Sequence, residues 1–80
     1  MKNENITKYR DEFIAVGLKT GYLRRQRGMT QEQLAEKAGI SLGFLSQIEA
    51  PNLSVGISLA TLFSIAEVLQ VPPSKLLEFD

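Results

Sequence analysis

Ile6, Tyr9, Phe13, Val16, Thr20 and Leu23 recur at steps of three and four. That spacing draws one stripe along a helix and predicts helix from Ile6 to about Arg27. Gly17 and Gly21 fall inside it. Each weakens a helix by roughly 1 kcal/mol relative to Ala, so this helix leans on tertiary support. Gly17 is expected where another helix approaches closely, and Gly28 is expected to cap the C-terminus. The first five residues are polar and are expected to fray.

The next segment carries a dense start signal. Thr30 followed by Gln33 makes a capping box, with Met29 placed to staple onto Leu34. Leu34, Ala35 and Ala38 keep helical spacing through Gln31–Ala38, and Gly39 ends the run. Ser41 then caps Leu42 to about Ala50, with Leu45 and Ile48 inward. Two short helices joined through Gly39-Ile40-Ser41 alone cannot lie antiparallel; they must cross steeply, as in a helix-turn-helix. Pro51 to Ile57 reads as loop. Ser58 caps a fourth helix to about Leu69, its stripe built from Leu59, Leu62, Ala66 and Leu69 and widened by Phe63 and Ile65. Pro72-Pro73 stops it, and a last short helix through Glu78 is expected to bury Leu76 and Leu77. The result is an all-α, compact five-helix bundle.

A length of 80 residues suits one domain, residues 1–80, with a hydrophobic share of 44% to fill its core. The sequence contains no Cys and no His. That removes thiolate sites, the commonest metal ligand and the commonest general base, so neither metal, cofactor nor catalytic residue is expected. No window approaches a membrane span and the start does not read as a signal peptide, which makes the cytoplasm the expected location. Nine basic and nine acidic residues cancel. Lys19, Arg24, Arg25, Arg27 and Lys37 nevertheless share one stretch, so a neutral whole can present a basic face.

The ordered series Gly28-Met29-Thr30-Gln31-Gln33-Leu34-Ala35, Ala38-Gly39-Ile40-Ser41 and Phe44-Leu45-Ser46-Gln47-Ile48-Glu49 resembles the Xre and lambdoid-repressor family, the Cro and C1 type of helix-turn-helix regulator. Ser58-Leu59-Thr61-Leu62-Ile65-Ala66-Leu69-Val71-Pro72 is similar to the same family's fourth helix and its exit. The likeness runs from Gly17 to Leu77. It implies the lambda-repressor-like fold, with the helix at Leu42–Ala50 entering the DNA major groove and the helix at Gln31–Ala38 crossing the backbone.

On that footing Gln47 is the expected base reader, because an amide bonds bidentately to adenine. Ser46 is expected at a base edge or a phosphate, Leu42 at a thymine methyl, and Gly43 where the protein backbone comes close. Gln31 is implied as a phosphate clamp at a helix N-terminus. Ser41 serves first as a cap and then toward phosphate. Phe44 is either a half-buried packing residue or a wedge beside the DNA backbone. Asn52, Ser54 and Gly56 offer loop donors. Arg25, Arg27 and Lys37 are the freer basic residues, with Arg25 and Lys37 assigned to phosphate. The resemblance implies that Arg24 and Glu49 form a structural ion pair between the first helix and the end of the recognition helix.

The expected activity is sequence-specific binding of double-stranded DNA by a transcription regulator, a repressor rather than an enzyme. The expected form is a homodimer on a palindromic operator, with no membrane or small-molecule partner. Apolar residues beyond the core are the dimer candidates: Leu53, Val55 and Ile57 in the loop, Leu76, Leu77 and Phe79 at the end, and Ile6 and Tyr9 on the first helix. The competing class is a protein-interaction adaptor or antitoxin that keeps the same fold. It draws on the neutral charge and on the non-polar Leu42-Gly43 opening of the recognition helix.

Overall fold

The computed structural model describes residues 8–79. Within them the chain forms α1 (Arg10–Gln26), α2 (Gln31–Ala38), α3 (Leu42–Glu49), α4 (Leu59–Leu69) and α5 (Pro73–Leu76). Local chemistry sets most of these limits. Thr30 Oγ1 accepts from the Gln33 backbone N–H at 3.0 Å, and the Thr30 N–H donates to Gln33 Oε1 at 2.9 Å. Both halves of the capping box are therefore made, which satisfies two N–H groups that a helix start otherwise strands. Ser41 and Ser58 repeat the first half of the device, accepting from the N–H groups of Phe44 and Thr61.

Helix ends use left-handed residues. Gly28 has φ +68° and Gly39 has φ +75°. After each, the chain folds back: Met29 N–H donates to the Arg24 carbonyl and Ile40 N–H to the Ala35 carbonyl, at 3.1 and 3.0 Å. α4 ends the same way through Gln70, at φ 59°, with the Val71 N–H returning to the Ala66 carbonyl.

The core draws on every helix. Leu34 of α2, Leu45 of α3, Ile65 and Leu69 of α4 and Leu76 of α5 expose no surface, and Val16 and Leu23 of α1 close over them. Each such aliphatic side chain contributes about 1.5–3 kcal/mol on burial. Thr20 is fully buried too, and its hydroxyl donates to the Val16 carbonyl at 2.9 Å. α1 lies against α3, α4 and α5, while α2 is held between α3 and α4. Met29 packs on the core cluster that contains Leu34, as the staple requires.

Several expectations need correction. α1 starts at Arg10, and Tyr9 is exposed rather than part of a buried stripe. Ile6 and the five residues expected to fray lie outside the described residues. The buried face of α1 runs through Ile14, Val16, Gly17, Thr20, Gly21 and Leu23, leaving Phe13 half-buried. It is centred on the glycines because the backbone of α3 sits on Gly17 and the Glu49 side chain lies over Gly21. A stripe read from side-chain hydrophobicity alone is therefore rotated. In α4, Leu62, Ile65, Ala66 and Leu69 already fill one face. Leu59 and Phe63 fall roughly 70–110° from its centre and are 67% and 52% exposed. α5 stops at Leu76, so Leu77 is exposed and not buried as expected. Leu76 is fully buried and is withdrawn from the dimer candidates.

Candidate nucleic-acid interface

Two buried residues orient α3. Leu45 and Ile48 face the core. At about 100° per residue, the opposite face carries Gly43, Ser46 and Gln47, with Leu42 and Phe44 on its flanks. Gly43, Ser46, Gln47 and Leu42 are exposed. A β-carbon built on Gly43 meets nothing within 4 Å, so this face opens outward. Phe44 takes the first of its two expected roles: it is half-buried against the core cluster. Ser41 Oγ is occupied as the N-cap. The backbone N–H groups of Leu42 and Gly43 precede the first that a cap or carbonyl engages, as at any helix start.

What holds α3 in place is its contact with α1. A β-carbon on Gly17 would run into the backbone carbonyl of Ile48. The two helices thus meet backbone to backbone, which is the close approach expected at this glycine. One turn on, a β-carbon at Gly21 would lie 3.0 Å from Glu49 Oε1 and 3.2 Å from Arg25 Nη1. Arg25 is therefore beside the C-terminal end of α3.

Arg24 and Glu49 form the ion pair that the resemblance implies, and it is bidentate. Arg24 Nε donates to Glu49 Oε2 at 2.9 Å and Nη2 to Oε1 at 3.0 Å. The side chains are only 11% and 6% exposed, so the pair is well shielded. Arg24 Nη1 also donates to the Met29 carbonyl at 2.8 Å, which ties in the connection to α2. A planar guanidinium can serve all three acceptors at once; an ammonium cannot present that fork.

Sequence reasoning missed that this pair extends to the surface. Gln31 Nε2 donates to Glu49 Oε1 at 3.0 Å, and Ser46 Oγ donates to Gln31 Oε1 at 3.1 Å. Two residues read separately, one for phosphate and one for bases, belong to one hydrogen-bonded chain that ends on the core ion pair. Nothing in the spacing announces it, because Gln31 opens α2 and Glu49 closes α3.

The other expected contacts are dispersed. Asn52 is exposed just past α3, and its carbonyl accepts from Arg10 Nη2 at 3.3 Å, a tie that sequence reasoning also missed. Lys37 is exposed in the last turn of α2, about 9 Å along the axis from Gln31, where its charge complements the helix's carbonyl end. Arg27 is not a free cation: its Nε donates to the Leu69 carbonyl at 2.7 Å and clamps the end of α4 to the end of α1. Leu53 of the loop is exposed, while Val55 and Ile57 pack against the core.

This arrangement agrees with what the chain is similar to. A helix-turn-helix family model matches residues 22–76, more than half of the chain. An immunity repressor protein of Bacillus phage phi105 is 36% identical over 63 residues. That stretch is 79% of this chain and 42% of the repressor, so the chain spans less than half of that relative's length. The crystal structure of the restriction-modification controller protein C.AhdI from Aeromonas hydrophila superposes with a TM-score of 0.75 at 24% identity. The superposition covers 82% of this chain and 97% of that one, and it establishes likeness of fold. From the capped α2, the left-handed Gly39, the capped α3 and the matching family model together, the chain belongs to the helix-turn-helix family of Xre, Cro and C1-type regulators.

Proposed function

We propose that this chain binds double-stranded DNA sequence-specifically as a transcription regulator, and that its action is repression. The observation that carries the reading is the outward face of α3. Gly43, Ser46 and Gln47 are presented together, with Gln31 at their edge and Arg25 near the C-terminal end of the helix. A helix so presented fits the major groove, whose base edges carry distinct donor and acceptor patterns. Gln47 reads a base, with Ser46 beside it, Leu42 at the flank, and the bare Gly43 allowing close approach. Gln31 keeps its second amide N–H for phosphate. Arg25, Lys37, Ser41 and Asn52 are further candidates for backbone contact.

The reading is of binding without catalysis, in a chain that has no Cys or His. Repression is supported by the immunity repressor among the chain's relatives. A two-fold dimer on a palindrome completes the proposal, since one module of this size makes few contacts. Leu59 and Phe63, exposed one turn apart on α4, join Tyr9, Leu53, Leu77 and Phe79 among the exposed apolar residues available for it. No helix among the described residues is long and apolar enough to cross a membrane, in keeping with a cytoplasmic regulator.

Selection of bound duplexes from a random pool tests the proposal. An enriched palindrome, bound with an affinity that falls steeply as salt rises, is the expected result. A pool that stays unenriched at low salt overturns it and favours the adaptor or antitoxin class.

A further inference from the structure

The hydrogen-bonded chain behind Ser46 has a direction. The Glu49 carboxylate, paired with Arg24, offers only acceptor oxygens. Its neighbour in Gln31 must therefore be the amide nitrogen, and the arrangement is the one observed: Nε2 toward Glu49 at 3.0 Å. That choice turns the amide oxygen, Oε1, toward Ser46. An amide oxygen accepts and never donates, so Ser46 must supply the proton, across 3.1 Å. A serine hydroxyl has one hydrogen. Once it is committed inward to Gln31, what Ser46 turns outward on the exposed face of α3 is lone pairs alone.

We propose that Ser46 is a specificity-determining residue whose hydroxyl acts only as an acceptor, its polarity imposed by Glu49 through Gln31. The inference rests on the DNA-binding reading above and deepens it. In the major groove, adenine N6 and cytosine N4 are donors, whereas guanine O6 and N7 and thymine O4 are acceptors. On the strand that Ser46 meets, adenine or cytosine is therefore favoured over guanine or thymine. A serine free to turn its hydroxyl would accept either set. Gln31 acts here as a positioning residue: it need not touch the base to decide which bases its neighbour tolerates.

The test is a binding-site selection, with relative affinities at every position, for the wild-type protein, Ser46→Ala and Gln31→Leu. Ser46 is exposed and alanine favours helix, so the first variant keeps the fold. The expected wild-type result is one position where adenine or cytosine is preferred about fivefold, the scale of a single net hydrogen bond. Ser46→Ala removes that preference and leaves the others. Gln31→Leu frees the hydroxyl and shrinks the same preference to within about twofold, while its lost phosphate contact weakens all sequences alike. Adenine or cytosine on one strand is thymine or guanine on the other, so the preferred pair is also tested with an analogue of its adenine or cytosine that lacks the exocyclic amine. A Ser46-dependent preference that survives loss of that amine overturns the proposal. So does a preference untouched by Gln31→Leu, or a Ser46→Ala pattern identical to wild type. Loss of all enrichment in the wild type would instead sink the DNA-binding reading itself, and this inference with it.

Discussion

Gly17 of α1 faces the carbonyl of Ile48 in α3 with no room for a methyl group between them. Gly43, by contrast, faces open space. Two glycines, each of which weakens its helix, therefore have opposite reasons for being there. Gly17→Ala should gain up to about 1 kcal/mol of helix propensity but lose more to overpacking against a rigid carbonyl, where such insertions cost about 1–3 kcal/mol. Urea unfolding should show net destabilisation.

Gly43→Ala carries no packing penalty and should stabilise by about 0.5–1 kcal/mol. If the backbone here approaches a base edge, the same variant should bind its selected duplex more weakly. The paired measurement of unfolding and DNA affinity is informative because the two quantities are expected to move in opposite directions.

Glu49→Ala should cost about 3–5 kcal/mol, since it strands a shielded guanidinium. The double variant Arg24→Met, Glu49→Leu should cost less than the sum of its single changes, because neither charge is then left alone. A double-mutant cycle by chemical denaturation checks this. Strict additivity would mean that the bidentate pair is not coupled.

Arg25 and Arg27 are separable. Arg25→Gln should leave stability nearly unchanged and reduce the slope of log affinity against log salt by about 1. Arg27→Gln should leave that slope alone and cost about 1 kcal/mol of stability through the lost bond to the Leu69 carbonyl. Reversal of this pattern would mean that the two roles have been exchanged.

Gln70→Gly should stabilise the fold by about 0.5–1 kcal/mol. Gln70 is exposed and holds a left-handed backbone at φ 59°, which glycine adopts without a β-carbon penalty. A shift in unfolding midpoint at unchanged slope is the expected reading.

The helices that begin at Gln31, Leu42 and Leu59 were legible because their limits are local. A Thr or Ser cap, a glutamine three residues on and a glycine past the end act within one turn, so their signals lie side by side in the chain. The left-handed end of α4 was not legible, because glutamine occupies the place where glycine usually advertises it. Nor was the exposure of Leu59 and Phe63. α4 is apolar on more than one side, and only the positions of α2, α1 and α5 decide which side is covered. The Arg24–Glu49 pair was legible through family likeness alone. The links from Glu49 to Gln31 and on to Ser46 span 18 and 15 residues of sequence separation, and no periodicity spans a turn between helices.

One carboxylate is a member of two partnerships that a protein engineer would want to adjust independently. Glu49 clasps a buried cation and, through a surface glutamine, fixes which way a neighbouring hydroxyl points. Libraries that diversify position 49 to retune target choice would be dominated by unfolded members. On the proposed reading, those confined to 43, 46 and 47 redraw target choice and leave the Arg24–Glu49 pair in place.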